Sequence, residues 1–283
     1  MNLTGSVDKL CRLSQTNFSL LPTIQQWPET LAWDSWYFSP HLMSLFGTSE
    51  FQGLDERDQF KLSFFETLNF FSLNIHGERF LLAGLCERLY GPTYRPEYQY
   101  LHHFLDEENK HLNYFGGFCM RYAEKVYPDR KISLPREYLP GESDLLFFIR
   151  IMIFEEIVDY FNVAMAADQN LHPLVRQMNE MHHADEVRHL AFGRLIVRDI
   201  WQECAAKWSE QKRAEIRTYA ANYLKATWRE YYNVDFYADA GFEEPFDIAD
   251  VAFEASKDTR LKASKKVIDF LLSSELLTSN PLI

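Results

Sequence analysis

Residues 107–111 read Glu-Glu-Asn-Lys-His, and residues 182–189 read His-His-Ala-Asp-Glu-Val-Arg-His. Each stretch holds a glutamate followed three residues later by a histidine: Glu108 with His111, and Glu186 with His189. On an α-helix an i, i+3 pair is separated by about 60° of rotation, so the carboxylate and the imidazole can converge on one ion. The surroundings of both stretches read as helix, because apolar residues recur at spacings of three and four. One such segment runs from about 55 to 90, where Gly91-Pro92 stops it, and the next from near Arg95-Pro96 to about 127. Together they predict an antiparallel hairpin.

A polar, proline-bearing connection follows over 129–141, then a third helix from near 143 to 168, a turn through 169–173, and a fourth helix to about 208. The connection is long enough to cross from one hairpin to the other. The expected fold is therefore all-α, a ferritin-like four-helix bundle with one crossover and additional flanking helices near 35–45, 210–232 and 257–272. With no solenoid repeat and no interdomain linker, residues 1–283 read as a single domain. Its parts are an N-terminal extension over 1–54, a core bundle over about 55–208 and a C-terminal helical layer over 209–283.

Charged residues interrupt the apolar faces of these helices at matched depth. Glu78 lies 15 residues before Thr93 in the first turn and Glu108 lies 15 residues after it, which places both about 22 Å from that end. Glu155 and Glu186 are 31 apart, and their midpoint falls inside the second turn. One carboxylate from each of two helices and a Glu-x-x-His from each of the other two is the arrangement that binds two iron or two manganese ions in bundle proteins. Four glutamates carry −4 and two divalent cations +4, which neutralises a cluster otherwise prohibitive to bury. Carboxylates with imidazoles also suit iron or manganese better than copper(I) or structural zinc. His182 precedes Glu186 by one helical turn and shares its face, so the candidate ligands are Glu78, Glu108, His111, Glu155, His182, Glu186 and His189. Asp185 is a candidate to accept a ligand imidazole's free N–H, with Arg188 holding the aspartate. Adjacent duplicates leave alternatives at three positions, Glu107 or Glu108, Glu155 or Glu156, and His182 or His183, because about 100° of rotation lets only one of each pair face the metals. Glu108, Glu155 and His182 are preferred. His76, His102 and His103 are read as structural.

The composition sets the wider frame. At 283 residues, 47% hydrophobic and 16% aromatic, the chain can bury a large core without disulfide staples. A net charge of −12 argues against nucleic acid or an anionic membrane as partner. No apolar run reaches the ~18 residues of a membrane span, since Arg150 interrupts the richest stretch, and the first 30 residues lack signal-peptide features. These features predict a soluble cytoplasmic protein. Four cysteines without metal or redox spacing predict free, buried thiols.

With these motifs, the chain resembles the ferritin-like di-iron carboxylate oxygenases over about residues 66–198, and within them the p-aminobenzoate N-oxygenase family. Paired Glu-x-x-His motifs, the second as Asp-Glu-x-Arg-His, are shared by many members, including bacterial multicomponent monooxygenases and ribonucleotide reductase small subunits. The selective mark is His-x-x-x-Glu-x-x-His, from His182 to His189, because that family carries a third histidine ligand on its last helix. The Glu155 to Glu186 interval also matches. One departure is the shorter Glu78 to Glu108 interval, which implies a shorter hairpin turn; Glu66 would sit about 18 Å away along the helix, and Glu87 would face the opposite side. The radical tyrosine of ribonucleotide reductase small subunits falls at Phe115 here, and the neighbouring Tyr114 is expected to point elsewhere.

The resemblance implies a non-haem di-iron oxygenase with two iron ions as cofactors, manganese as the alternative metal and dioxygen as co-substrate. It implies oxidation of an amine to a hydroxylamine, and onward to nitroso or nitro products, in natural-product biosynthesis. The amine substrate would be free or carrier-protein-bound. No flavin or nicotinamide fingerprint is evident, so electrons are expected from a ferredoxin, a reductase or a small reductant. A homodimer is compatible with the sequence. The competing readings are a C–H hydroxylase or desaturase of the same fold and a non-catalytic iron-binding or ferroxidase protein.

Overall fold

The structure, a computed structural model, describes residues 3–18, 20, 24, 26–129 and 137–283. In chain order the α-helices are α1 (Leu3–Thr16), α2 (Ser49–Gln52), α3 (Glu56–Arg88), α4 (Leu101–Tyr122), α5 (Glu142–Ala167), α6 (Pro173–Ala205), α7 (Glu210–Glu230), α8 (Val234–Ala240), α9 (Pro245–Ala255), α10 (Lys257–Ala263) and α11 (Lys265–Ser273). Among the described residues there is no strand beyond one isolated bridge between Trp36 and Leu171. The hairpin partners α3 with α4 and α5 with α6 pack most extensively, α3 also lies on α5, and α4 on α6. That is the expected four-helix bundle. Part of the crossover, 130–136, lies outside the described residues.

Local chemistry starts each core helix. The Asp55 carboxylate accepts from the Asp58 amide at 2.8 Å and caps α3. A left-handed Gly141, φ 79°, feeds the chain into α5. Pro173 opens α6 at a position whose amide has no helical partner. α5 is buried on nearly every face because α3, α6, α7, α10 and α11 surround it, which explains its run of apolar residues better than amphipathic patterning would.

Two glycines set the spacing of α3 against α5. A Cβ on Gly77 would lie 2.2 Å from the Phe154 ring, and one on Gly84 would lie 2.1 Å from the Phe147 ring. The phenylalanines fill the space the missing side chains leave, and the two contacts fix an antiparallel register.

The structure differs from expectation in four places, three of them in the flanking layer. Residues 35–45 do not form an α-helix; only Pro40–Leu42 makes a 3-10 turn. Pro40 disfavours helical geometry at Ser39, and the backbone is used elsewhere: Tyr37 accepts from Thr67 Oγ1 at 2.6 Å, and Trp36 accepts from the His172 amide at 2.8 Å. The expected helix over 257–272 is broken at Ser264 into α10 and α11. α4 ends at Tyr122, five residues early, with Glu124 in a left-handed conformation. Helices α1, α2, α8 and α9 lie outside the segments that the sequence marks as helical. Of the four thiols, Cys119 and Cys204 are buried, while Cys86 is exposed. No helix among the described residues is long and apolar enough to cross a membrane.

Candidate metal centre

The bundle brings all seven candidate ligands to one level in its interior. Glu78 comes from α3, Glu108 and His111 from α4, Glu155 from α5, and His182, Glu186 and His189 from α6; none is more than 2% exposed. Ligand atoms of Glu78, His111 and His182 lie within 4.8 Å of one another, as do those of Glu108, His111 and Glu186, of Glu155, His182 and Glu186, and of Glu78, Glu108 and Glu155.

Each imidazole turns one nitrogen inward. His111 Nδ1 is 2.7 Å from Glu108 and 3.6 Å from both Glu78 and Glu186. His189 Nδ1 is 2.8 Å from Glu108 and 3.1 Å from Glu186. His182 Nε2 is 3.3 Å from Glu78 and 3.2 Å from Glu186. Both carboxylate oxygens of Glu78 and both of Glu155 are buried with no hydrogen-bond partner. Orphaned acceptors of this kind are prohibitively costly in a sealed interior unless a cation or proton joins them. This donor set fits two divalent ions.

The outward nitrogens are held as well. His111 Nε2 faces Asp185 at 3.2 Å, His189 Nε2 faces Glu107 at 2.7 Å, and His182 Nδ1 faces the Asn162 amide at 2.8 Å. Arg188 joins the first two arrangements, bonding Asp185 and, at 2.7 Å, Glu107, with Ser14 of α1 behind it. The residue just before each Glu-x-x-His glutamate therefore crosses to the other motif's histidine: Asp185 to His111, and Glu107 to His189. Such partners fix the ring orientation and raise the basicity of the inward nitrogen. Asn162 presents its amide nitrogen to His182 and leaves its oxygen unpartnered. A metal at Nε2 requires the proton on Nδ1, and a half-turn of the amide brings its oxygen to accept that proton.

Protons occupy the cluster when metals do not. Burial, reinforced by the Glu108 charge, pushes the Glu78 carboxyl up to about 7. Burial and Glu186 push Glu155 well above the carboxylate range. For Glu108 burial acts upward, but His111 and His189 outweigh it and hold the group at about 2. Burial would lower the His111 and His189 imidazoles, yet Glu108 and Glu186 beside them keep both well above the usual value. Metal binding at these residues therefore releases protons.

Of the adjacent duplicates, Glu156 turns away to Arg194, and His183 pairs with Asp159 at 2.5 Å. Glu107, the alternative to Glu108, orients His189 instead. Asn162 was not singled out; its signal was the seven-residue interval after Glu155, which returns a helix to the same face. His76 bonds the Tyr127 carbonyl at 2.6 Å, a structural role. Tyr114, expected to point away, instead lies against His111 with ring centroids 5.7 Å apart, while Phe115 packs on His182. A cavity of about 860 Å³ lies between α3, α5 and α7, and Glu155 forms part of its wall.

A bundle with carboxylates from four helices at one level, two of them followed by histidine, falls in the class of ferritin-like proteins that hold a pair of metal ions between carboxylates. The family model for P-aminobenzoate N-oxygenase AurF matches residues 12–274, and the chain belongs to that family, one of di-iron helical proteins. Among curated proteins it is similar to uncharacterized protein MT0908 of Mycobacterium tuberculosis strain CDC 1551 / Oshkosh. The two are 25% identical over 204 residues, covering 70% of this chain and 58% of that one. It is likewise 25% identical over 154 residues to uncharacterized protein Rv0885 of strain ATCC 25618 / H37Rv, covering 52% of this chain and 45% of that one. The chain thus spans about half the length of the curated relatives it matches.

Proposed function

We propose that the chain is a non-haem di-iron oxygenase that N-oxygenates an amine, with Glu78, Glu108, His111, Glu155, His182, Glu186 and His189 as the metal ligands. The observation that carries this reading is the position of Glu155, a member of the buried cluster and also of the wall of an 860 Å³ cavity. Iron storage needs a path for ions; a cavity of this size beside the cluster accommodates an organic molecule. The overall change is R–NH₂ + O₂ + 2e⁻ + 2H⁺ → R–NHOH + H₂O, with the electrons from an external ferredoxin, reductase or small reductant. Two iron ions bound here would activate dioxygen for transfer to nitrogen. The protein's own residues supply the rest. Asp185, Glu107 and Asn162 fix the three imidazoles, while Phe115 packs on His182 with Phe71 and then Phe118 behind it, an aromatic wall that excludes water.

The test is metal content per chain, followed by single turnover of the iron(II) protein with ¹⁸O₂ and a panel of amines. Label on nitrogen supports the proposal. Label on carbon, or loss of two hydrogens, would make the chain a hydroxylase or desaturase. Iron(III) without an organic product would make it a ferroxidase. His182→Ala should lower iron occupancy and alter the iron absorption spectrum; an unchanged spectrum would remove His182 from the ligand set.

A further inference from the structure

A second, small cavity of about 20 Å³ lies between α3, α5, the end of α7 and α10. One water needs about 10–15 Å³ and two or more polar partners, so the cavity has room for a single water. Two polar atoms in its walls are buried without a partner, Glu66 Oε2 and the Tyr231 hydroxyl; the two residues are 6% and 9% exposed. The Tyr232 and Ser256 hydroxyls, bonded to each other at 2.6 Å, belong to the same wall. Of the described residues that line the cavity, Thr259 on α10 alone is not buried, so the cavity meets solvent there.

Glu66 is poised to exchange protons. Its Oε1 accepts from the Ser44 amide at 2.8 Å. The titratable and charged groups turned toward it are Tyr237 of α8, bonded to Ser44 Oγ at 2.8 Å, and Tyr232, which accepts from Arg260 of α10 at 3.1 Å. With no cation paired to it among the described residues, burial pushes its carboxyl up to about 7.

Tyr231 leads from this cavity toward the metal cluster. Its ring stacks on Phe161 of α5 with centroids 5.6 Å apart, and Phe161 lies six residues, about 9 Å of helix, beyond Glu155. Burial raises the Tyr231 hydroxyl well above its usual value, and the charges of Glu230 and Glu155 add to the effect, so Glu155 is within electrostatic reach. Both Glu155 oxygens are themselves unpartnered. A phenol passes protons without becoming charged, accepting one as it donates its own.

The overall reaction consumes two protons at a centre whose ligands are buried, and an amine in the cavity beside Glu155 would displace water on that side. Building on the di-iron oxygenase reading, we propose that Glu66, a water in the small cavity and Tyr231 form a relay that carries protons from solvent at Thr259 to Glu155. Glu66 gives its proton to the water, the water gives one to the Tyr231 oxygen, and Tyr231 releases its own toward Glu155; solvent then reprotonates Glu66. Neither residue belongs to the ligand set, and both act through Glu155.

The experiment mixes the iron(II) protein with dioxygen and no amine, 2 Fe(II) + O₂ + 2 H⁺ → 2 Fe(III) + H₂O₂, and follows proton uptake with a pH indicator. Glu66→Gln and Tyr231→Phe should each slow uptake roughly tenfold or more and raise its solvent deuterium isotope effect, at unchanged iron(II) affinity. Glu66→Asp should keep part of the rate. The double variant should be no slower than the slower single one, because the two groups act in series. Metal-free protein gives a second readout: the infrared carbonyl band of protonated Glu66, identified by its loss in Glu66→Gln, should shift in Tyr231→Phe through the shared water. Uptake within twofold of the parent in either variant overturns the proposal, as does an unshifted band. No amine enters this test, so its failure leaves the N-oxygenase reading standing. Amines returned unoxidised while the variants still slow proton uptake would refute that reading alone.

Discussion

Glu107→Gln isolates the effect of a residue that touches no proposed metal position yet should govern metal affinity. The Glu107 carboxylate accepts from His189 Nε2 and from Arg188, both at 2.7 Å, inside the protein. Glutamine keeps the shape and one acceptor but removes the charge, so a charge-assisted bond to His189 becomes a neutral one. Hydrogen bonds to charged groups contribute about 1.5–3 kcal/mol and neutral ones about 1 kcal/mol, so His189 should lose about 0.5–2 kcal/mol of support. That corresponds to roughly 2–30-fold weaker binding of one metal, overlapping the roughly 10–100-fold cost of removing such partners elsewhere. The assay is equilibrium competition of iron(II), or manganese(II) as surrogate, against a chelator, with exposed Glu87→Gln on α3 as control. Arg188 retains Asp185 as a partner, so the fold should survive, which circular dichroism checks. Affinity within twofold of the control would refute the idea that the crossed acids tune the centre.

Gly77→Ala should lose about 1–2 kcal/mol in urea unfolding, because the new Cβ falls 2.2 Å from the Phe154 ring and overpacking costs about 1–3 kcal/mol, partly offset by alanine's better helix propensity. Adding Phe154→Leu should recover most of the loss. Glu66 tests a pH dependence far from the cluster: burial raises its carboxyl from 4.5 to about 7, while Oε1 accepts from the Ser44 amide and Oε2 has no partner. A raised carboxyl in the folded state costs stability as pH climbs from about 4.5 to about 7 and costs it fully above that, roughly 3 kcal/mol in all. Glu66→Gln should therefore melt higher than the parent at pH 8, with the gap shrinking toward pH 5; a gap independent of pH would contradict the assignment.

The two hairpins were legible because periodicity and the Gly91-Pro92 and 169–173 turns are local signals, and matched depth from a turn is arithmetic on helical rise. The crossing acids were half legible. The sequence marks Asp185 as a candidate partner across the bundle, and its carboxylate stands 3.2 Å from His111 Nε2, whereas for Glu107, in the same place before its own Glu-x-x-His, the sequence offers only a choice against Glu108. Which way a residue beside a ligand turns depends on its neighbours across the interface, and sequence spacing does not report them. The segment over 35–45 failed for a related reason: its apolar spacing suits a helix, but Pro40 and the waiting partners Ser63, Thr67 and His172 draw it into an extended path. α8 and α9 are short, α8 lying on α3 and α9 on α8 and α10, where tertiary contact rather than propensity decides.

The pairs Gly77–Phe154 and Gly84–Phe147 stand seven residues apart on both helices, which gives α3 and α5 the behaviour of a ratchet with two engaged teeth. One residue inserted or deleted between the teeth would turn the helix beyond it by about 100°, disengaging one pair and swinging Glu78 out of line with Glu155. Changes of chain length are tolerated only outside this span. The short interval between Glu78 and Glu108 fits that rule, since between Arg88 and Leu101 residues can be removed without turning either helix. Length variation among relatives should thus collect in the connections, leaving the two-turn segment from 77 to 84 constant in length even where its side chains change.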